Sequence, residues 1–266
     1  MVFNTLEDKC KYYQSLANYK LMPNSYILCH IDGRAFSKYC KRFEKPYDDR
    51  FINMMNVTTQ YLCSKVSGCK LGYTQSDEIT LVITNFENPI SDTWFEYRIN
   101  KMCSIIASMA STKFLQQVIA DIVSTPCSQS DIIQMINNLK LIEFDCKVWN
   151  VPSYNEVFAW LLFRQNDCIR NSKQMLAQTY FTHKTLECKN TDEQIQMVLN
   201  EFNIDWHSFD DGKKFGRFVL KKEVDIETEK GIVKRNKWII ENAYQLSENK
   251  KLFEDSEIIP KLKYIS

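Results

Sequence analysis

The sequence predicts an α+β fold, and three observations support this class. Residues 25–31 form an apolar run of strand length, typical of a strand buried on both faces. Residues 69–74 and 79–84 are β-prone and flank four polar residues, which is the pattern of a hairpin. Helical patterns lie before and after this hairpin. The resulting order over residues 25–151 predicts a split βαβ (ferredoxin-like) unit, with a four-stranded antiparallel sheet and two helices on one face.

Capping residues and helix breakers predict the element boundaries in the first part of the chain. Thr5, with Asp8 three residues later, is typical of a helix N-terminus, and this first helix is predicted to run to about Lys20. After the first strand, Asp48 lies near the start of a second helix, which Gly68 ends.

The remaining elements complete the unit and add an extension of helices and strands. In order, we predict a helix from Ser91 to about Gln117, a short helix from Asp131 to Leu139 capped by Ser130, a strand from Leu141 to Val151, a helix from the capping box Ser153-x-x-Glu156 to about Tyr180, a shorter helix from Thr191, and β-like segments at Arg217–Leu220 and Ile232–Ile240. We therefore expect one domain over residues 1–152, including the N-terminal helix, and a helical and β region over 153–266 packed on it.

Composition excludes several classes of protein. The ten cysteines are scattered without a CxxC pair, and the three histidines do not align with them at zinc-ligand spacing, which favours reduced thiols. No stretch reaches the roughly 18 apolar residues of a membrane helix. The first 20 residues resemble neither a signal peptide nor a transit peptide. We expect a cytoplasmic protein without membrane contact, and leave a mitochondrial fraction open.

Two carboxylates are predicted to lie at neighbouring strand ends. Asp32 follows the first strand and Asp77 lies in the hairpin, so the two can face one another across the centre of the sheet. Like charges at such spacing are costly unless a cation lies between them, and two Mg²⁺ ions would meet that need. On spacing alone, a simple turn at Asp32-Gly33 and a polar hairpin tip explain these residues equally well.

The residues around this pair suit phosphate. Gly33 permits close approach of the backbone, and the amides of residues 33–36 are candidates for an anion-binding nest. Lys45, just before the second helix, is placed to reach a triphosphate as a point charge.

Several ordered motifs resemble one family of enzymes. They are His30-Ile31-Asp32-Gly33-Arg34-x-Phe36, Phe43-x-Lys45-Pro46-x-Asp48, Tyr73-x-Gln75-Ser76-Asp77-Glu78, Trp94-Phe95-x-x-Arg98-x-x-Lys101, Asn150-Val151-Pro152-Ser153 and Arg164-Gln165-x-Asp167. Together they are similar to the tRNA-His guanylyltransferase family and its tRNA-repairing relatives, which are 3′-to-5′ nucleotide-adding polymerases. The resemblance is close over roughly residues 5–180 and looser beyond.

The resemblance implies a palm-type polymerase domain that assembles as a homotetramer, a dimer of dimers. It implies that Asp32 and Asp77 hold two Mg²⁺ ions, with the Gly33 carbonyl as a further ligand, and that Glu78 is an additional catalytic acid. The implied substrates are tRNA and nucleoside triphosphates. ATP or GTP activates a 5′-monophosphate, and the 3′-hydroxyl of an incoming nucleotide then attacks it.

The resemblance also assigns residues around the nucleotides and the RNA. Lys45, Asp48 and Ser76 would surround the activating nucleotide, and Gly33, Arg34, Ala35 and Phe36 would form the loop beneath the incoming one. Candidates for triphosphate or RNA contact are Arg98, Lys101, Arg164, Arg170 and Asn171. For Arg98 and Lys101 an ordinary solvated helix face is the alternative, and for Arg164 an ion pair with Asp167.

One departure from the family pattern bears on the substrate. Eukaryotic enzymes that add guanosine to tRNA-His carry His-Ile-Asn-Asn after the position of Asp167, whereas this chain has Ile169-Arg170-Asn171-Ser172. That sequence is similar to relatives that prefer template-directed addition. We therefore predict repair of tRNA 5′ ends in preference to dedicated tRNA-His guanylylation.

Other interpretations remain open at this point. With a net charge of +1, RNA binding must be local, and the C-terminal basic stretch between Lys213 and Lys237 is either an RNA contact or a surface hairpin laced with salt bridges. A nucleotide cyclase on the same fold would also use two carboxylates and a triphosphate. A non-catalytic tRNA-binding protein is the third interpretation, although it gains nothing from paired acids.

Overall fold

A computed structural model describes residues 3–87, 92–228 and 231–262. Its strands are β1 (Tyr26–Gly33), β2 (Cys69–Gln75), β3 (Glu78–Ile83), β4 (Phe144–Val151), β5 (Arg217–Thr228) and β6 (Gly231–Asn242). In the described residues they form one antiparallel sheet in the order β4-β1-β3-β2-β5-β6. The four strands β4-β1-β3-β2 have the arrangement of the predicted split βαβ unit, because β3 lies between β1 and β2 and runs antiparallel to both.

The described residues also form α-helices before, between and after these strands. They are α1 (Leu6–Ser15), α2 (Phe36–Tyr39), α3 (Asp49–Lys65), α4 (Ile99–Ser124), α5 (Gln129–Asn137), α6 (Tyr154–Tyr180), α7 (His183–Leu186), α8 (Thr191–Phe202), α9 (Asp211–Phe215) and α10 (Lys250–Asp255). None of the described helices combines the length and apolarity needed to cross a bilayer.

Both faces of the central sheet are covered, as the apolar run of β1 predicts. Ile27, Cys29 and Ile31 pack on one face in a cluster that includes residues of α3 and α4. Tyr26 and Leu28 face the opposite cluster, which includes residues of α6 and the C-terminal segment. Since side chains alternate along a strand, the even-numbered residues of β1 point toward α6.

Two predicted helix boundaries are wrong for one common reason. The first helix ends at Ser15 instead of about Lys20, and the long helix begins at Ile99. Lys20 forms an antiparallel bridge with Arg98, and the Leu21 amide donates to the Tyr97 carbonyl at 3.0 Å. This pairing between distant residues holds Lys20 and Arg98 in a strand-like arrangement, so neither residue is part of a helix. The predicted cap Ser91 lies outside the described residues.

Other boundaries differ in detail. The short helix is capped by Ser128, not Ser130, because the Ser128 hydroxyl accepts from the Asp131 amide and the Asp131 carboxylate accepts from the Ser128 amide. Asn190, one residue before Thr191, caps α8. The strand predicted from Leu141 begins at Phe144.

The C-terminal strands extend the central sheet. β5 pairs with β2 over Leu71–Thr74, and β5 and β6 form a hairpin longer than the predicted segments. The hairpin therefore belongs to the same sheet as β1 and β3.

Candidate active site

The predicted acids meet where β1 ends and β3 begins. Asp32 lies directly opposite Glu78 in the β1–β3 register. Asp77 lies in the turn between β2 and β3, and its carbonyl accepts a hydrogen bond from the Gly33 amide at 3.2 Å. This backbone bond ties the end of β1 to the hairpin, so it brings together the two carboxylates that the sequence places 45 residues apart.

Burial and mutual repulsion perturb the two aspartates. Burial raises the pKa of Asp32, and the neighbouring Glu78 carboxylate raises it further. The pKa of Asp77 rises to about 6 because burial and the charge of Asp32 outweigh a hydrogen bond from Ser76. The folded chain thus holds two carboxylates in an environment that penalises their ionisation, which a bound cation would relieve.

The donor set fits magnesium better than a protein-enclosed metal. Among the described residues, no group of three or more His, Cys, Asp and Glu side chains is gathered for a metal ion. Magnesium is usually held by one or two carboxylates, with water and substrate phosphates completing its shell. Asp32 and Asp77 meet that requirement.

Glu78 differs from the two aspartates because its carboxylate is already paired. Arg164 of α6 donates to it through Nε at 3.0 Å and through Nη2 at 2.8 and 2.6 Å, and the Gln75 amide donates at 2.8 Å. The side chains of Glu78 and Arg164 are only 20% and 12% exposed. Glu78 therefore connects β3 to α6, and a direct catalytic role for it stays a prediction.

The ion pair that the sequence left open is present. Arg164 lies 2.9 Å from the Asp167 carboxylate, and Arg170 lies 2.6 Å from the same group. The Arg164 guanidinium also lies 4.8 Å from the centre of the Phe163 ring. Because the Arg164 guanidinium contacts Glu78, Asp167 and the Phe163 ring, the ion-pair interpretation is favoured over direct contact with RNA.

A cavity of about 370 Å³ opens beside Asp77. Its lining combines predicted nucleotide contacts with residues from the C-terminal region, namely Phe36, Lys45, Asp48, Ser76, Asn171, Lys213 and Arg217. The volume lies within the range of small-molecule sites. The structure therefore gathers residues from four distant segments around a space that suits a nucleotide.

Asp48 lines this cavity but its carboxylate is occupied by the protein. It accepts from the amides of Glu44 at 2.9 Å and Arg50 at 2.8 Å, and from the Arg50 guanidinium at 2.8 Å. Although burial alone raises its pKa, these hydrogen bonds lower it to about 2. Asp48 thus caps α3 and fixes the loop that carries Lys45.

The anion nest expected at residues 33–36 is not formed. The Gly33 amide donates to Asp77, and the Arg34 amide donates to the Glu143 carbonyl at 2.9 Å. Gly33 is required for packing instead, because a Cβ there would lie 2.4 Å from the Phe36 ring. Phe36 is itself only 3% exposed, packed against Phe114 and Phe144.

The rest of this loop points toward the surface on the β4 side. Ala35 is exposed and adopts a left-handed conformation, with φ of 58°, at the start of α2. The Arg34 guanidinium donates to the Glu143 carboxylate at 2.9 Å, and this pair is exposed.

Arg98 and Lys101 are not brought to the carboxylates within one chain. Arg98 pairs with Lys20 before the start of β1, whereas Asp32 lies at the end of β1, near Phe36 and its α4 neighbour Phe114. Ile99 and Phe114 are about 20 Å apart along α4, given the rise per residue of a helix. Lys101 lies over the Phe95 ring, 4.8 Å from its centre. Their predicted contact with triphosphate or RNA stays a prediction.

In the motif Arg170-Asn171-Ser172, from which the substrate is predicted, one residue packs in the core and another lines the cavity. Ser172 is buried, and its hydroxyl accepts from the Trp206 indole at 2.8 Å and contacts the Tyr47 hydroxyl at 2.9 Å. Asn171 is exposed and lines the cavity. Arg170 is exposed as well, with one nitrogen paired with Asp167, so Ser172 is the buried residue of the three.

Three residues of the site were missed from the sequence. Asp145 lies opposite Asp32 in the β1–β4 register, which only strand pairing reveals. Arg217 lines the cavity, 5% exposed, and its Nη1 donates to the Gly212 carbonyl at 2.8 Å. Lys213 also lines the cavity and pairs with Asp49 at 2.8 Å. The basic C-terminal composition is the available signal for the last two, but it predicts either an RNA contact or a surface hairpin with salt bridges, and not the wall of this cavity.

The chain is similar in sequence to one family of known proteins. Residues 7–152 match the family model described as Thg1, tRNAHis guanylyltransferase. An uncharacterized protein, R259 of Acanthamoeba polyphaga mimivirus, is 30% identical over 240 residues, covering 85% of this chain and 80% of its own. The tRNA(His) guanylyltransferase of Schizosaccharomyces pombe is 24% identical over 221 residues, or 78% of each chain.

Two solved structures have the same fold over nearly the whole chain. A bacterial tRNA(His) guanylyltransferase (Thg1)-like protein in complex with ATP is 27% identical, with a TM-score of 0.78 over 94% of this chain and 98% of its own. The bacterial protein of the same description in complex with GTP is 25% identical, with a TM-score of 0.74 over 94% and 97%.

Proposed function

Because the chain belongs to the tRNAHis guanylyltransferase (Thg1) family, whose members are nucleotidyltransferases, we propose that it adds nucleotides to the 5′ end of tRNA in the 3′-to-5′ direction, copying the opposite strand. The observation that carries the proposal is the position of Asp77 on the wall of a cavity of nucleotide size, with the end of β1 that carries Asp32 tied to it by the Gly33–Asp77 backbone bond. Acids at this spacing suit phosphoryl transfer between nucleotides, since the reaction builds up negative charge that cations neutralise.

Asp32, Asp77 and the Gly33 carbonyl would hold two magnesium ions. Bound there, the ions would supply charge neutralisation at the reacting phosphate and at the departing pyrophosphate. The Gly33–Asp77 backbone bond keeps the two carboxylates in register, and the Glu78–Arg164 pair fixes β3 against α6. The palm-type description of this domain rests on this arrangement of acids on a split βαβ sheet.

The cavity beside Asp77 is the proposed site of the activating nucleotide. Lys45 and Ser76 lie on its wall, and Lys213 and Arg217 add positive charge from the C-terminal region. The ATP and GTP complexes of the bacterial relatives support a purine nucleotide here. In the proposed reaction, the 5′-monophosphate attacks the α-phosphorus of ATP or GTP and displaces pyrophosphate, which leaves an adenylylated or guanylylated 5′ end. The 3′-hydroxyl of the incoming nucleotide then attacks the 5′ phosphorus of the RNA, loses its proton and displaces AMP or GMP.

Templated repair is proposed over dedicated guanosine addition because of Arg170-Asn171-Ser172. Ser172 is buried against Trp206, so its side chain does not reach an RNA base, and one nitrogen of the exposed Arg170 pairs with Asp167. Watson–Crick pairing with the opposite strand would then supply the specificity. Guanosine addition to tRNA(His) is the second candidate, supported by the Schizosaccharomyces pombe relative.

The proposal retains three further predictions: a homotetramer arranged as a dimer of dimers, a cytoplasmic location, and tRNA contact by the region 153–266. Sedimentation measures the first and cell fractionation the second. Crosslinking of bound tRNA to the protein, followed by identification of the crosslinked residues, measures the third.

The deciding experiment supplies two 5′-phosphorylated substrates together: a tRNA lacking its first nucleotide and a full-length tRNA-His. With magnesium and all four nucleotides, we expect the truncated end to be restored to match its template. Asp32→Ala and Asp77→Ala should abolish this addition. Preferential addition of one guanosine to tRNA-His would select the second candidate, and unchanged activity in either variant would refute the two-metal site. Cyclic product from ATP or GTP without RNA would indicate a cyclase.

A further inference from the structure

A second, larger groove lies on the other side of the 36–43 loop. It has a volume of about 830 Å³, and Phe43 lies between it and the cavity beside Asp77. One wall is the segment from Lys38 to Phe43, and the other is formed by the end of α4 and by α5. The groove contains none of the residues assigned above to magnesium or to the nucleotide.

The groove has an excess of positive charge. Its basic residues are Lys38, Lys41, Arg42, Arg50 and Lys140, against two acids, Asp121 and Asp131. Asp131 is used in the cap of α5, and Arg50 is used in pairing with Asp48. Across the described ranges, no ion pair involves the other four basic residues, all of which are exposed. A polyanion would therefore meet available cations here.

Aromatic rings alternate with these cations. The sequence Ser37-Lys-Tyr-Cys-Lys-Arg-Phe-Glu-Lys45 places Tyr39 and Phe43 among four basic residues. The Arg42 guanidinium lies 4.7 Å from the centre of the Tyr39 ring and 5.0 Å from that of Phe43. Stacked in this way, the exposed guanidinium presents a flat cationic surface, which is a surface on which unpaired nucleic-acid bases stack.

Shared wall residues connect the groove to the loop that follows β1. Lys38, Tyr39 and Lys140 line both this groove and a smaller cavity that includes Arg34. Arg34 in turn shares a third cavity with Asp145, which lies opposite Asp32 across β1 and β4. A series of cavities thus runs from the basic groove, past the Arg34–Glu143 ion pair, to Asp145, the β4 partner of Asp32.

We propose that this basic groove binds the unpaired 3′ end of the RNA substrate as it leaves the acceptor stem. The inference rests on the proposed function: if nucleotides are added opposite a template, the last base pair forms at the catalytic carboxylates. The 3′ strand beyond that pair must then leave from the same place. The groove adjoins the cavity beside Asp77 at Phe43, carries lysine and arginine side chains for phosphate, and offers a stacking surface for unpaired bases.

Binding of two minihelices tests the proposal. One is a 5′-phosphorylated acceptor stem with a short unpaired 3′ end, and the other is the same stem with a blunt end. We expect the wild-type protein to bind the first roughly tenfold more tightly, since stacking of even one base contributes on that scale. In the double variant Lys41→Ala/Arg42→Ala, the two affinities should become equal, with the blunt stem bound as before.

Salt dependence and a matched control refine the measurement. Loss of two phosphate contacts should reduce the slope of log affinity against log salt by about 1.4 for the overhanging RNA. Arg42→Lys keeps the charge and should keep the slope, while the preference for the overhanging stem falls because the stacking surface is lost. The control Lys184→Ala/Lys251→Ala removes two exposed lysines that line none of the cavities described above, and should behave as wild type.

Each contrary outcome has a defined meaning. The groove assignment is overturned if the Lys41→Ala/Arg42→Ala variant binds both stems as wild type does, or weakens both equally. It is also overturned if that variant changes the sedimentation coefficient, which would make the groove an interface between copies of the chain. ATP affinity and thermal unfolding of the variant should match wild type, because neither residue lies in the nucleotide cavity.

Wild-type nucleotide addition to the same stem, shortened by one 5′ nucleotide, is measured separately. If overhang-dependent binding occurs without addition, the proposed function fails and the groove assignment stands. If addition occurs without overhang-dependent binding, only the groove assignment fails.

Discussion

At the scale of single residues, the acids of this site have three different tasks. Burial and neighbouring carboxylates raise the pKa values of Asp32 and Asp77, as expected of groups whose ionised form a cation would stabilise. Glu78 is held by Arg164, and Asp48 is held by Arg50 and backbone amides. Residue type and motif position do not distinguish these tasks, because they depend on the partner that the fold supplies.

Replacing Asp77 should separate stability from activity. A folded-state pKa of about 6, above the ordinary 3.8, means that ionised Asp77 destabilises the metal-free protein at neutral pH. Asp77→Asn should therefore raise the free energy of unfolding at pH 7 in EDTA by about 2 kcal/mol, and the gain should disappear below about pH 4. Urea unfolding measures it. Magnesium should stabilise the wild-type protein and not the variant. A variant less stable than wild type at pH 7 would contradict the prediction.

Asp48 should have the opposite pH dependence. Its folded-state pKa of about 2 lies below 3.8, so the ionised group stabilises the fold above about pH 4, and this contribution is lost as the pH falls toward 2. Asp48→Asn keeps a capping side chain but loses the pairing with Arg50, and should cost on the order of 2 kcal/mol at neutral pH. The difference between the two unfolding curves should shrink on acidification. A difference independent of pH would show that the charge contributes nothing.

Arg217 should bind a ligand phosphate. Its guanidinium is buried on the cavity wall, its Nε has no partner among the described residues, and no carboxylate there pairs with it. A buried cation without an anion is costly, so an anionic ligand group is its natural partner. Arg217→Met should weaken ATP binding by tenfold or more, on the order of one charged hydrogen bond. Calorimetric affinity for adenosine, which lacks phosphate, should be unchanged. An equal loss for both ligands would indicate a structural role.

At the scale of elements, one buried ion pair joins β3 to α6. Arg164→Met would leave the Glu78 carboxylate buried beside Asp32 without its partner, which we expect to cost about 3 kcal/mol or more in unfolding free energy. Adding Glu78→Leu should recover much of that loss, so the double variant should be more stable than the sum of the single changes predicts. Additive effects in a urea double-mutant cycle would show that the pair is not coupled.

Element boundaries followed local signals except where distant segments pair. The N-termini of α3 and α6 lie at their predicted caps, because Asp48 and Ser153 satisfy orphan amides within one turn. The ends near Lys20 and Arg98 were wrong, because a strand-like bridge between them replaces helical hydrogen bonds. Local sequence cannot reveal a partner about 80 residues away.

At the scale of the whole molecule, the region after residue 152 contributes to both core and site. Val157 and Phe158 of α6 cover the face of the sheet that carries Tyr26 and Leu28, and β5 pairs with β2. A fragment of residues 1–152 would expose that apolar face and an open sheet edge. We expect it to aggregate or to lack cooperative unfolding by calorimetry, whereas the full chain unfolds cooperatively. A soluble, cooperatively folding fragment would support the predicted domain boundary as an independent one.

The sequence by itself determined the split βαβ order, the two metal-binding candidates and the family. These follow from apolar periodicity, capping and short motifs, all of which act over a few residues. The tertiary structure alone decided what surrounds the acids: Asp145 beside Asp32, Arg164 against Glu78, and Arg217 on the cavity wall. These neighbours depend on strand register and helix packing. They join residues distant in the chain, and no local pattern encodes which of them will meet.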